Sequence, residues 1–118
     1  MKITRLKVAM LNLMPQVALT VAYGSYPVLE YALLELYTAA GAFGLGEAAP
    51  DPEVTGETQA GVIRALETLA PLLAGRDPFD IEVILQDAEE AVPGCPAALA
   101  ALDMALYDLM GKSLGVPV

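Results

Sequence analysis

The feature that most limits how this chain can fold is a change of hydrophobic period near its middle. Before residue 49 apolar and polar residues tend to alternate, whereas after residue 56 apolar residues recur about every three to four positions. Residues 49–56 contain two prolines and a glycine, which is typical of a loop. The alternating part, residues 2–48, predicts strands at Ile3 to Met14, Val17 to Tyr23, Val28 to Thr38 and Ala42 to Ala48.

The second part of the chain, residues 57–115, predicts three helices. Gly75 ends the first helix, whose last turn Pro71 should kink, and the third helix begins at Pro96 and ends at Gly115. We expect Asp77 to cap the second helix. The apolar stripes that indicate these helices are Val62, Ile63, Leu66, Leu69, Ala70 and Leu73; Ile81, Ile84, Leu85 and Ala88; and Leu99, Leu102, Leu106, Leu109 and Met110.

Strands followed by helices predict an α+β fold with the helices on one face of the sheet. The sheet should be a three- to four-stranded antiparallel meander, in which the turn at Ala39-Ala40-Gly41 joins the last two strands. A length of 118 residues allows one domain, with strands in 2–48, a loop in 49–56 and helices in 57–115.

Composition excludes several classes of function. The chain has no histidine and one cysteine, Cys95, so imidazole catalysis, an internal disulfide and a zinc cluster are excluded. A net charge of −9 repels phosphate groups, so we expect no binding to nucleic acid. Asn12, Pro15 and Gln16 interrupt the uncharged stretch after Lys7, so neither a signal peptide nor a membrane span is expected.

The sequence shows no convincing catalytic or metal-binding group. Asp103 and Asp108 lie five residues apart on a helix, about 140° around its axis, which is poor geometry for a shared metal or an acid–base pair. The glycines of Gly44-Leu45-Gly46 are best explained by turns and close packing, because Glu47 follows where a phosphate would bind. We favour a buried, hydrogen-bonded carboxylate for Glu47 over an exposed strand end.

The predicted third helix has a recognisable pattern. Its sequence ALAALDMALYDLMGK, residues 98–112, with Pro117-Val118 after it, resembles the first signature of the mandelate racemase/muconate-lactonizing group of the enolase superfamily. The segments GLGEAAP at residues 44–50 and GRDP at 75–78 occur in the order that this group shows. Within the group the chain looks most like the dipeptide epimerases, and the resemblance extends over its whole length.

The resemblance implies an N-terminal capping domain and a cytoplasmic enzyme. In such enzymes a barrel follows the cap and carries the catalytic lysines and the carboxylates that bind Mg²⁺. We therefore expect no catalytic residue and no metal ligand in this chain, which ends at Val118. The cap contributes two substrate-selecting loops, whose counterparts would be residues 15–25 and 49–56. The candidate residues in them are Gln16, Thr20, Asp51, Glu53, Val54 and Thr55; the first loop lacks the Arg or Lys that the family pattern contains.

Strand periodicity also predicts an apolar face on the side of the sheet away from the helices. If Ala32, Leu34 and Leu36 face the helices, the alternate residues of the same strand face outwards. The predicted interaction face comprises Val17, Leu19, Val21, Tyr23, Leu29, Tyr31, Leu33 and Tyr37. Such a surface is typical of a contact with another protein.

Two main hypotheses of function follow. In the first, the chain is an engineered, non-catalytic cap that associates with itself or with a designed partner through this apolar face. In the second, it is the substrate-specificity cap of a Mg²⁺-dependent dipeptide epimerase that lacks its barrel, so the face merely lay against the barrel. An inert chain without a partner is a third hypothesis.

Overall fold

The computed structural model describes residues 1–13, 29–52 and 55–115 and confirms the α+β fold. Three strands, β1 (Ile3–Leu13), β2 (Leu29–Thr38) and β3 (Phe43–Ala48), come first along the chain. Four helices follow: α1 (Gln59–Thr68), α2 (Ala70–Leu73), α3 (Ile81–Ala91) and α4 (Pro96–Leu114).

The strands form one antiparallel sheet in the order β1-β2-β3. The turn between β2 and β3 lies where it was predicted, with Gly41 at a φ of 89° and the Thr38 amide donating to the Ala42 carbonyl at 3.0 Å. A left-handed φ of this kind favours glycine, which has no Cβ to clash. The strand predicted at Val17 to Tyr23 lies outside the described residues, so it stays a prediction.

Alternation along β2 divides the sheet into two faces. Ala32, Leu34 and Leu36 are fully buried beneath the helices, as their period-two spacing predicted. The helices complete this core with Leu102, Leu106 and Leu109 of α4 and with Val62 and Leu66 of α1 and Leu69 directly after it. The core therefore lies between the sheet and one layer of helices.

The backbone of α4 lies close to the backbone of β3. A Cβ added to Gly44 would lie 2.2 Å from the carbonyl oxygen of Ala105, and one added to Gly46 would lie 1.9 Å from that of Ala101. Neither distance is sterically possible, so the helix can lie this close only against glycine. The prediction that these glycines serve close packing is confirmed, and we call this contact the α4–β3 seam.

The first predicted helix is divided at Leu69 into α1 and α2. Pro71 stands at the start of α2, where its missing N–H leaves the helical ladder incomplete. The helix is thus interrupted two residues before Pro71, close to the predicted kink, and the chain then turns at Gly75, where φ is 84°.

The predicted start of the second helix is wrong. Its cap is Asp80 rather than Asp77, and α3 begins at Ile81. The Asp77 carboxylate instead accepts a hydrogen bond from the Phe79 amide at 2.9 Å, and the Asp77 carbonyl accepts one from the Asp80 amide at 3.0 Å. Asp77 therefore stabilises a separate turn that precedes the helix.

The longest helix is α4, with 19 residues, and it is apolar on most of its circumference. It begins at Pro96, as predicted, and ends at Gly115, whose φ is 71°. Met104, Tyr107 and Leu114 are exposed on the side away from the sheet. Neither α4 nor any other helix in the described ranges is long and apolar enough to cross a membrane.

Candidate functional site

The sheet brings the bases of both predicted substrate loops to the same end. β1 ends at Leu13 and β2 begins at Leu29, and these two residues are directly paired. β3 ends at Ala48, which pairs with Ala32 near the start of β2. Leu13, Leu29 and Ala48, the strand ends next to the two predicted loops, therefore lie at one end of the sheet, which we call the loop end.

The second loop contains a hydrogen-bonded turn. The amide of Thr55 donates to the carbonyl of Asp51 at 2.9 Å, and the Thr55 hydroxyl donates to the same oxygen at 3.0 Å. Both residues are exposed, as a role in contacting a ligand requires. Four further predicted loop residues, Gln16, Thr20, Glu53 and Val54, lie outside the described residues.

A buried glutamine joins the start of α1, shortly after this loop, to the sheet. Gln59, the first residue of α1, is 9% exposed. Its Nε2 atom donates to Asn12 Oδ1 at 2.7 Å and to the Tyr31 carbonyl at 2.8 Å. Gln59 thus contacts the end of β1 and the start of β2 simultaneously.

A buried carboxylate joins the same loop to α4. Glu57 is 8% exposed, and its Oε2 accepts a hydrogen bond from the Ala97 amide at 2.9 Å. This amide belongs to the first turn of α4, where N–H groups have no partner within the helix. The negative charge also lies at the positive end of the helix dipole. Glu57 therefore stabilises the start of α4 at the loop end.

Sequence reasoning missed both residues, since burial of a glutamate and a glutamine depends on elements far away in the chain. A weak signal was present, because Glu57 and Gln59 flank Thr58, whose hydroxyl caps α1 by accepting from the Gly61 amide at 3.0 Å. Polar residues beside a helix cap are usually solvated, so this pattern alone indicates no buried network.

The described strands place four of the residues predicted for the interaction face on the side of the sheet away from the helices. Leu29 is 37% exposed, and Tyr31, Leu33 and Tyr37 are half-buried on the side of the sheet away from the helices. Leu11 and Leu13 of β1 and Phe43 and Leu45 of β3 point to the same side. Val17, Leu19, Val21 and Tyr23 lie outside the described residues. We call the described part of this surface the outer sheet face.

The outer sheet face carries more charge than expected. Arg5 and Lys7 of β1, Glu35 of β2 and Glu47 of β3 all lie on it. Glu47 is exposed opposite Leu33, so the preference for a buried Glu47 is wrong. The reason is strand alternation: the inward positions of β3 are Gly44, Gly46 and Ala48, and Glu47 lies between them facing outwards.

One end of the outer sheet face holds an ordered aromatic cluster. The rings of Tyr37 and Phe43 are stacked with centroids 5.4 Å apart, and the Arg5 guanidinium lies 4.1 Å from the Tyr37 centroid. The Tyr37 hydroxyl donates a hydrogen bond to Glu35. This hydrogen bond, together with burial and the Glu35 charge, raises the pKa of Tyr37 above its ordinary value. The cluster is held together by its own contacts and shows no catalytic geometry.

The α4–β3 seam is closed by an ion pair. Asp108 Oδ2 accepts from the Leu45 amide at 2.9 Å and from Lys112 Nζ, also at 2.9 Å. Lys112 donates in turn to the Phe43 carbonyl at 2.6 Å. Burial raises the pKa of the Asp108 carboxyl, but the Leu45 amide and Lys112 outweigh it and hold the pKa below its ordinary value. Asp108 thus links helix to strand.

The described residues fit neither a metal site nor an anion-binding groove. Within residues 1–13, 29–52 and 55–115, no group of three or more Asp, Glu, Cys or His side chains could hold a metal ion. An open groove of about 480 Å³ lies between α3 and α4, and its charged lining residues are Glu82, Glu89 and Asp103. Negative charges of this kind disfavour an acidic ligand.

Known proteins are similar to the whole of this chain. The model of the mandelate racemase / muconate lactonizing enzyme N-terminal domain matches residues 4–118. The N-succinyl-L-Arg/Lys racemase of Bacillus cereus is 36% identical over 119 residues, which covers 100% of this chain and 32% of that protein. The hydrophobic dipeptide epimerase of Enterococcus faecalis is 35% identical and is covered to 33%.

Solved structures agree with this similarity. The dipeptide epimerase of Enterococcus faecalis, in complex with Mg and the dipeptide L-Leu-L-Tyr, superposes with a TM-score of 0.87 at 35% identity. The match covers 97% of this chain and 32% of the other. The chain therefore spans about a third of the length of the relatives that it matches.

Proposed function

Because the chain belongs to the mandelate racemase / muconate lactonizing enzyme N-terminal domain family, we propose that it is the substrate-selecting cap of a dipeptide epimerase. The observation that carries the proposal is the loop end. There antiparallel pairing brings together the strand ends that flank both candidate loops, Gln59 joins the start of α1 to two of these strands, and Glu57 binds the first turn of α4. A cap of this kind encloses the substrate, excludes water and selects among side chains.

The catalytic groups would come from the part of the enzyme that corresponds to the other two thirds of the relatives. The Enterococcus faecalis structure contains Mg, whereas the described residues here offer no metal-binding group. We therefore assign the metal ion and the acid–base residues to that other part. The contribution of this chain is to bind and orient the substrate.

The composition of the first loop favours an uncharged substrate. No charged residue occurs between Lys7 and Glu30, and the second loop contributes Asp51 and Glu53. A loop without Arg or Lys offers no counter-charge to an acidic side chain. We propose that the enzyme prefers dipeptides with apolar side chains and rejects those with acidic ones.

A chimeric enzyme tests this function. Residues 1–118 would replace the matched N-terminal third of the Enterococcus faecalis epimerase, and NMR would follow exchange of the α-proton of L-Leu-L-Tyr in D₂O. We expect exchange that requires Mg²⁺ and is lost when the cap is omitted. A folded chimera that exchanges no α-proton in a panel of dipeptides and N-succinyl amino acids would contradict the proposal.

A second candidate is self-association through the outer sheet face. In the described strands this face combines apolar residues with basic residues on β1, Arg5 and Lys7, and an acidic residue on β3, Glu47. A two-fold axis parallel to the strands would place β1 of one copy over β3 of the other, which brings Arg5 and Lys7 towards Glu47. The same arrangement places Glu35 of β2 opposite its own copy, a like-charge contact that the apolar residues of the face must outweigh. The hypothesis of an engineered association module stays a prediction.

Light scattering over a range of concentrations tests this candidate. We expect the molar mass of a dimer for the original chain and of a monomer for Leu33→Lys/Tyr37→Lys. The double variant Val83→Lys/Met104→Lys, on the exposed helix surface, controls for the added charge. A monomeric original chain at every concentration would rule the candidate out.

A further inference from the structure

The contacts of Gln59 indicate a role that goes beyond filling space. The Tyr31 carbonyl can only accept a hydrogen bond, so the amide nitrogen of Gln59 must face it. The second hydrogen of that nitrogen reaches Asn12 Oδ1. Both hydrogens of one buried amide group are therefore used, one on each of two strands.

The residues around Gln59 extend this link in both directions. Glu57 binds the first turn of α4 through its carboxylate, and its own amide donates to the Thr55 hydroxyl at 3.3 Å. Thr55 in turn closes on Asp51. A continuous set of hydrogen bonds thus runs from the strand ends through Gln59 and the adjoining backbone to the turn between Asp51 and Thr55.

We propose that Gln59 is a positioning residue that holds the Asp51–Thr55 turn against the strand ends Asn12 and Tyr31 and thereby sets the affinity for substrate. This inference rests on the proposed function, because it assigns the turn to substrate contact. Gln59 itself is buried and does not touch the substrate. Its removal should weaken binding and leave the rate of the chemical step nearly unchanged.

Amide hydrogen exchange in the full 118-residue chain tests the link without any catalytic activity. Gln59→Glu keeps the size of the side chain but removes both donated hydrogens, so the Tyr31 carbonyl faces an acceptor. We expect the amides of Thr55, Glu57 and Gly61 to exchange about tenfold faster, while those of α3 and of the β2–β3 ladder keep their rates. Gln86→Glu, on the exposed side of α3, makes the same change of charge and should alter none of these rates.

If amide exchange becomes faster by the same factor throughout the chain, Gln59 merely stabilises the whole fold. If the exchange rates at the turn are unchanged, Gln59 does not hold the turn in place. Either result would overturn the inference.

In the chimeric enzyme, Gln59→Glu should raise KM about fivefold or more with kcat within about twofold, and Gln86→Glu should change neither. A fall in kcat at constant KM, or no change in either, would also overturn it. If the folded chimera without these substitutions is inactive towards the whole substrate panel, the proposed function is refuted and with it the role in substrate affinity; the amide rates then decide only whether Gln59 holds the turn.

Discussion

At the scale of single residues, two glycines, whose side chains are single hydrogen atoms, determine how closely the helix packs on the sheet. Gly44 and Gly46 lie under the backbone of α4, where any Cβ would overlap a helical carbonyl. Side chains elsewhere in the core can repack, but a backbone carbonyl cannot move without its helix. The α4–β3 seam therefore tolerates no added side-chain carbon at either glycine.

Gly46→Ala should destabilise the fold by about 3 kcal/mol, because α4 must lift away from β3 to admit the methyl group. Urea unfolding measures the change. Gly61→Ala in α1 is the matched control, since its nearest neighbour is the Thr58 side-chain hydroxyl at 3.1 Å, which needs to move by only a few tenths of an ångström, and it should change stability by less than about 1 kcal/mol. Equal effects of the two substitutions would contradict the role of the seam.

Asp108 should make the stability of the seam depend on pH. Its folded-state pKa lies below the ordinary value, so its contribution is complete above the unfolded-state pKa of about 3.9 and is lost as pH falls through the folded-state pKa. We expect Asp108→Asn to lower stability near neutral pH and to flatten the acid limb of a urea-midpoint profile. Asp103→Asn, on the same helix, controls for the loss of one charge. An unchanged acid limb in Asp108→Asn would contradict this account.

The structural roles of residues in strands and helices could be predicted from sequence more reliably than the contacts of buried polar residues. Gly44 and Gly46 were predicted to serve packing because Glu47 follows where a phosphate would bind, and the structure places both glycines against α4. Glu47 was misjudged because small neighbours suggested burial, although alternation turns it outwards. Gln59 and Glu57 could not have been found, since their partners are Asn12 and Ala97, distant in sequence.

At the scale of elements, the start of α4 depends on a residue outside the helix. Cys95 occupies the N-cap position but makes no side-chain capping bond, and Pro96 follows it. Glu57 supplies the missing acceptor at the Ala97 amide. The start of α3 shows the opposite case, because Asp77 has the right residue type for a cap but stabilises a turn instead, which only the three-dimensional path of the chain reveals.

Glu57→Ala should lower the free energy of unfolding by about 1–2 kcal/mol, because the Ala97 amide loses its acceptor. Glu57→Gln is the control, since its amide oxygen can still accept this hydrogen bond, and it should retain at least half of the lost stability. Thermal unfolding followed by circular dichroism measures both. If the alanine and glutamine variants are equally unstable, the capping bond contributes nothing.

At the scale of the whole molecule, the sheet and the helices share one core, so neither can unfold alone. We expect a single transition in urea, with the same midpoint by far-ultraviolet circular dichroism, which reports on the helices, and by tyrosine fluorescence. Gly46→Ala should shift both midpoints equally. Two separated midpoints would mean that the layers are independent.

The two-layer architecture itself was predictable from the change of hydrophobic period, because each period requires a buried face.

The α4–β3 seam has a consequence for how the family can diversify. A methyl group at position 46 is incompatible with the present position of the helix, so a substitution there requires a second change that moves the backbone around Ala101. We therefore expect folded variants of this domain either to keep the glycine at position 46 or to combine its replacement with a change that moves the helix backbone around Ala101. Asp51 and Thr55 at the loop end are exposed and meet no such obstacle, so substitutions there should leave the packing of α4 against β3 unchanged.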